Sequence, residues 1–108
     1  MGNARERVED SGTIVRRREF PLLGAYMAPR TPTERTLAEI WCRALGMDQV
    51  SIGDRFEELG GDSLLAVSVF ADIEEAFAIA VPLGLLARAP TIEQLASRID
   101  DLIARHKK

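Results

Sequence analysis

"GGDSLLAVSVFADIEEAFA", residues 60–78, decides the fold. Ala66, Val69, Phe70, Ile73 and Phe77 fall at i, i+3, i+4, i+7 and i+11, the apolar stripe of an amphipathic helix. The spacing predicts a helix from Ser63 to about Ala78, with Asp62 as N-cap and two glycines closing the preceding loop. Leu64 departs from the stripe. At about 100° per residue it sits roughly 160° from the stripe's centre, facing solvent. Ala71 shares that outward side and Val67 lies on its flank. Apolar groups clustered beside a serine at a helix start form a candidate docking surface.

Ser63 itself has a plain reading, because serine is an ordinary residue at an early helical position. As a nucleophile it fares poorly. Gly61 and Ser63 match part of the Gly-x-Ser-x-Gly elbow, but Leu65 replaces the second glycine and no strand precedes. The chain has one histidine, His106, in a basic tail, so a Ser-His-Asp triad has no base. Asp48, Asp54, Glu57, Glu58 and Asp62 lack the order of a calcium loop and read as solvated acids, Asp62 excepted. "GGDS" also lacks the lysine and length of a phosphate loop. An anion on Ser63, by contrast, would gain from the free amides and dipole of the helix start.

Outward from this centre, the rest of the chain reads as helical. Thr31, Pro32 and Glu34 form a cap, first position and capping box. Leu37, Ile40, Trp41, Ala44 and Leu45 follow at helical spacing, and Gly46 stops the helix. Cys42 lies beside that stripe as a small packing residue. The stretch 46–62 is too long for a passive connection, and Val50, Ile52, Phe56 and Leu59 are spaced through it as anchors to a core. After Pro82 comes a short segment, "PLGLLARA", softened by Gly84. Thr91, with Gln94 three residues on, caps a last helix whose inner face is Ile92, Leu95, Ala96, Ile99, Leu102 and Ile103. The expectation is an all-α fold: a small bundle of three main helices and one short one, with a long loop between the first two.

Residues 1–30 show no sustained period. They read as a flexible leader or interdomain linker, in which "RRREF" is a solvated charge run and "FPLLGAYMAP" could lie against the domain. The folded region is 31–105, and 106–108 form a basic tail. Net charge is −3, spread unevenly: residues 31–105 carry six basic and thirteen acidic groups. That balance repels a phosphate backbone, so nucleic-acid binding is not expected. No apolar run approaches the ~20 residues of a membrane span. Glu6 stands where a myristoylation signal wants Ser or Thr. The lone cysteine fits a reducing compartment, and a monomeric cytoplasmic chain is expected.

Taken together, these residues resemble a family. "DRFEELGGDSLLAV" is similar to the modification motif of carrier proteins, and "LGGDSL" to the peptidyl and aryl carrier (thiolation) domains of nonribosomal peptide synthetases. "APRTPTERTLAEIWCRALG" resembles their first helix and its lead-in, and "VPLGLLARAPTIEQLASRI" their third and fourth helices. The resemblance covers about residues 28–103. It implies a four-helix carrier fold without catalytic activity of its own. Ser63 would receive 4′-phosphopantetheine from coenzyme A through a phosphopantetheinyl transferase, which brings its own magnesium. The arm would hold aminoacyl, aryl or peptidyl groups as thioesters. Asp62 would help position the transferase and, with Gly61, would count among the cofactor-binding residues around Ser63, and Leu64, Val67 and Ala71 would face partners. The implied partners are the transferase, an adenylation domain, and condensation, tailoring or thioesterase domains. Glu57 stands where the family often has a second aromatic. An acyl carrier for polyketide or fatty-acid synthesis, or a helical interaction module without a prosthetic group, remains an alternative.

Overall fold

The computed structural model describes residues 14, 16–17, 24–82 and 84–106. The expectations about Glu6, about residues 18–20 of the charge run, and about the terminal lysines lie outside these residues.

Helix α1 spans Pro32–Leu45, started and stopped by the signals its sequence carries. The Thr31 hydroxyl accepts from the Glu34 amide at 3.0 Å, and Gly46 ends the helix in the left-handed region at φ 68°. The capping box is displaced by one residue: the Glu34 carboxylate accepts from the Arg30 amide at 2.7 Å. Helix α2 spans Ser63–Phe77, with Asp62 as its cap and Ala78 left-handed at its end. A four-residue helix α3, Leu85–Arg88, follows, and α4 runs Ile92–His106. The last begins at Thr91, whose hydroxyl accepts from the Gln94 amide at 3.2 Å. Pro82 stays outside α3; its carbonyl accepts from Leu85 at 3.0 Å. An isolated antiparallel bridge pairs Arg55 with Thr91.

α1 packs against both α2 and α4. Leu37, Trp41, Ile73, Ile92, Leu95 and Ile99 lie at the centre, each essentially fully buried. Ala66 and Phe77, the ends of the α2 stripe, are only partly covered. The indole N–H of Trp41 is buried with no hydrogen-bond partner among the described residues.

The 46–62 loop is anchored as expected: Val50, Ile52, Phe56 and Leu59 are all buried. It also contains a turn of 3₁₀ helix, Phe56–Leu59, which four residues are too few to announce by periodicity. The loop is stitched to the α3–α4 connection, with Phe56 N donating to Pro90 O at 3.1 Å and Glu93 N to Ile52 O at 3.0 Å. Two residues overturn the solvated reading. Arg17 and Asp54 are buried together as an ion pair, which offsets the cost of taking either charge out of water.

A second polar stitch joins α1 to α4. Arg30 reaches Glu34 at 2.9 Å and Glu93 at 3.2 Å, while the Thr33 hydroxyl donates to Asp100 at 2.7 Å. The hydrogen bond from Arg30 holds the buried Glu34 carboxyl below the usual carboxylate range, against the opposing effect of burial. A depressed carboxylate stabilises the fold above its unfolded pKa, and that stability is lost as pH falls through the folded value. Thermal midpoints of the parent chain should therefore fall more steeply below about pH 4.3, the unperturbed glutamate value, than those of Glu34→Gln. Parallel pH profiles would remove Glu34 from the acid sensitivity of this fold.

Candidate functional site

Each residue of "LGGDSL" has a distinct structural task. Leu59 is buried and ties the 3₁₀ turn to the core. Gly60 adopts φ 93°, a backbone region that side chains disfavour, and its amide returns to Glu57 O at 3.2 Å. Gly61 is needed for another reason: a Cβ there would lie 2.3 Å from the Phe56 ring. Phe56 in turn meets Trp41 edge-to-face, with centroids 5.1 Å apart. The glycine thus lets the chain cross an aromatic pair at close range.

Asp62 caps α2, its carboxylate accepting from the Leu65 amide at 2.9 Å. The cap is supplied by Asp62, so the hydroxyl of Ser63, the first helical residue, is left exposed. Leu64 is 82% exposed and Val67 52%, and Ala71 continues the same face. Leu64, Val67 and Ala71 are therefore exposed together on α2, as the helical wheel predicts, with Asp62 and Ser63 exposed at the helix start. Gly61 adjoins them but faces the Phe56 ring.

Beside Ser63 lies an open cleft of about 250 Å³, bounded by Phe56, Glu57, Ala66, Leu86, Ala87 and Pro90 in addition to residues 61–63. Its lining includes two carboxylates, Glu57 and Asp62, of which Asp62 is engaged by the Leu65 amide, and no histidine, lysine or cysteine. The second wall, Leu86, Ala87 and Pro90, was not legible in the sequence, because only the folding of the α3–α4 segment onto the loop brings it near. Cys42 is half-buried and lines a different groove, with Tyr26, Pro29 and Asp48. Burial pushes its thiol up, and the Asp48 carboxylate adds to the shift, which suits a packing residue. Among the described residues no group of acids, histidines or cysteines is placed to hold a metal ion.

The Ser63 hydroxyl thus stands at a helix start beside an exposed leucine. The family described as "Phosphopantetheine attachment site" matches residues 35–99. The chain belongs to that family. Tyrocidine synthase 3 of Brevibacillus parabrevis is 46% identical over 74 residues, which cover 68% of this chain and 1% of that one. A peptidyl carrier protein solved with the phosphopantetheine transferase Sfp and coenzyme A is 38% identical, with a TM-score of 0.68. That match covers 70% of this chain and 99% of that one. A carrier region from the Pax nonribosomal peptide synthetase, solved with its docking domains, reaches a TM-score of 0.74 at 32% identity, covering 81% of this chain and 84% of that one. Among the first relatives the chain spans between 1% and 6% of their length, so the match is to one carrier unit of very large proteins.

The fold is that of a peptidyl carrier domain, and its prosthetic group is 4′-phosphopantetheine. The residues fit that group: an exposed serine borders an open cleft whose far wall is Leu86, Ala87 and Pro90. When bound, the group supplies a thiol on which acyl cargo is held. The four-helix bundle and the 46–62 loop agree with the carrier domain expected from the motif. The loop keeps its packing although Glu57 replaces an aromatic, since Glu57 points outward while Phe56 fills the core.

Proposed function

We propose that Ser63 is the attachment point and that the chain serves as a peptidyl carrier in nonribosomal peptide assembly. The exposure of the Ser63 hydroxyl at the first position of α2 supports this reading most directly. The serine oxygen bonds the phosphorus that carries the pantetheine while the P–O–P bond of coenzyme A breaks, and adenosine 3′,5′-bisphosphate leaves. The serine proton leaves to a base of the transferase. The new phosphodiester sits by the free amides at the start of α2, where the dipole favours an anion by ~0.3–1 kcal/mol. Asp62 fixes that helix start, and Gly61 lets the preceding turn pass close over the Phe56 ring.

The domain has no chemistry of its own to perform. Its cytoplasmic partners are a phosphopantetheinyl transferase, an adenylation domain that loads the arm, and condensation, tailoring or thioesterase domains that unload it. The test is intact mass before and after incubation with coenzyme A, magnesium and a broad-specificity transferase. A gain of one phosphopantetheine, or its presence at the outset, supports the reading; a folded, unmodified chain that gains nothing sinks it.

Leu64, Val67 and Ala71 form the face presented to these partners. Leu64→Asp should leave thermal stability within about 0.5 kcal/mol, since the side chain is already in water. Loading should instead show a KM raised about tenfold, the effect of losing one well-placed apolar anchor worth about 1.4 kcal/mol. Initial rates against carrier concentration check this, and an unchanged KM would place docking elsewhere.

A further inference from the structure

We propose that Arg17 and residues 24–30 form a docked strap that holds the 51–61 loop in the shape presenting Ser63. Arg17 is 7% exposed, and its guanidinium pairs with Asp54, itself 5% exposed. One guanidinium nitrogen reaches Asp54 Oδ1 at 3.0 Å and the Gly24 carbonyl at 2.9 Å. The Arg17 amide donates to Asp48 Oδ1 at 2.8 Å, and the guanidinium carbon lies 5.7 Å from the centre of the Tyr26 ring. Downstream, Met27 bonds the loop twice: its amide donates to Ser51 Oγ at 2.9 Å, and its carbonyl accepts from Ile52 N at 3.1 Å. The Met27 methyl also lies 2.8 Å from where a Cβ on Gly53 would be. These contacts fix the strap at both ends of the 48–54 turn.

The same turn leads to the site. Asp54 Oδ2 accepts from Ser51 N at 3.0 Å, so the carboxylate that receives Arg17 also shapes the turn. Arg55 then bridges to Thr91 and Phe56 N bonds Pro90 O. The Phe56 ring supports Gly61, whose amide returns to Phe56 O at 3.1 Å. Removing the guanidinium leaves a buried carboxylate without its countercharge, two residues before Phe56. Arg17 and Asp54 are therefore positioning residues, acting on Ser63 through Phe56. The effect on loading rests on the carrier reading; the coupling of strap to loop does not.

The test is amide hydrogen exchange on the full apo chain, comparing the parent with Arg17→Met and Arg17→Lys. In Arg17→Met, Met27 and Ile52 should exchange about tenfold faster and Phe56 and Gly61 at least about threefold faster, while Ile99 in α4 stays within about twofold. Arg17→Lys, which keeps the charge without the fork, should show a smaller change at all four. Loading of Arg17→Met should show a raised KM at unchanged kcat. Unchanged exchange at Met27 and Ile52, unchanged exchange at Phe56 and Gly61, or an equal rise that includes Ile99 would each overturn the proposal. A parent chain that never gains mass sinks the carrier reading alone and leaves the exchange result standing.

Discussion

Ser63→Ala folds like the parent and gains no mass from coenzyme A. Both halves of that expectation follow from the division of labour at the start of α2. Asp62, not Ser63, satisfies the Leu65 amide, so removing the serine hydroxyl leaves the helix cap intact. Alanine is also the better helix former, by up to about 0.7 kcal/mol, and Ser63 is exposed, so no packing is lost. The thermal midpoint should match or slightly exceed that of the parent. Loading should vanish, because the oxygen that bonds phosphorus is gone. Ser68 on α2 and Ser97 on α4 are exposed as well and serve as internal controls. A Ser63→Ala chain that still gains one phosphopantetheine would move the attachment point to another serine. Intact mass, with peptide mapping of the modified fragment, reads the difference directly.

The parts of this fold that were legible in the sequence are those set by near neighbours. Thr31, Pro32 and Gly46 bound α1 because capping and left-handed stops involve residues a few positions apart. The outward position of Leu64 follows from helical geometry alone, and its 82% exposure matches the wheel. What depends on distant residues was hidden. Nothing local to Gly61 announces the Phe56 ring, nothing near Ser63 announces Leu86 and Ala87, and Arg17 stands in a charge run that reads as solvated. Arg17 is buried because Asp54, 37 residues later, is brought to it. The displaced capping box has a similar origin. Glu34 is drawn one residue back toward Arg30, which also engages Glu93 on α4 and so has a tertiary reason to be there.

The contact between Gly61 and Phe56 carries the second large effect, and it falls on stability. The would-be Cβ of Gly61 lies 2.3, 2.4 and 2.6 Å from three carbons of the ring, whereas carbon pairs are comfortable at about 3.5 Å. The ring has little room to retreat. Phe56 is 4% exposed and Trp41, with which it forms the edge-to-face pair, is fully buried. Gly61→Ala should therefore cost about 1–3 kcal/mol, the range of overpacked cores, and lower the thermal midpoint by roughly 4–8 °C per kcal/mol in a domain of this size. Gly60→Ala, one residue earlier, meets open space and is strained by its φ of 93° alone, so its cost should be about 1 kcal/mol. The two glycines are separated by a second change. Phe56→Leu narrows the side chain at the point of collision, so it should be less damaging in the Gly61→Ala background than in the parent. The same change should bring no such relief to Gly60→Ala, whose strain lies in its own backbone. Urea unfolding of the single and double variants, with the parent, measures that coupling. A Gly61→Ala chain as stable as the parent, or additive effects with Phe56→Leu, would mean that the ring moves aside freely and that the second glycine serves only the turn.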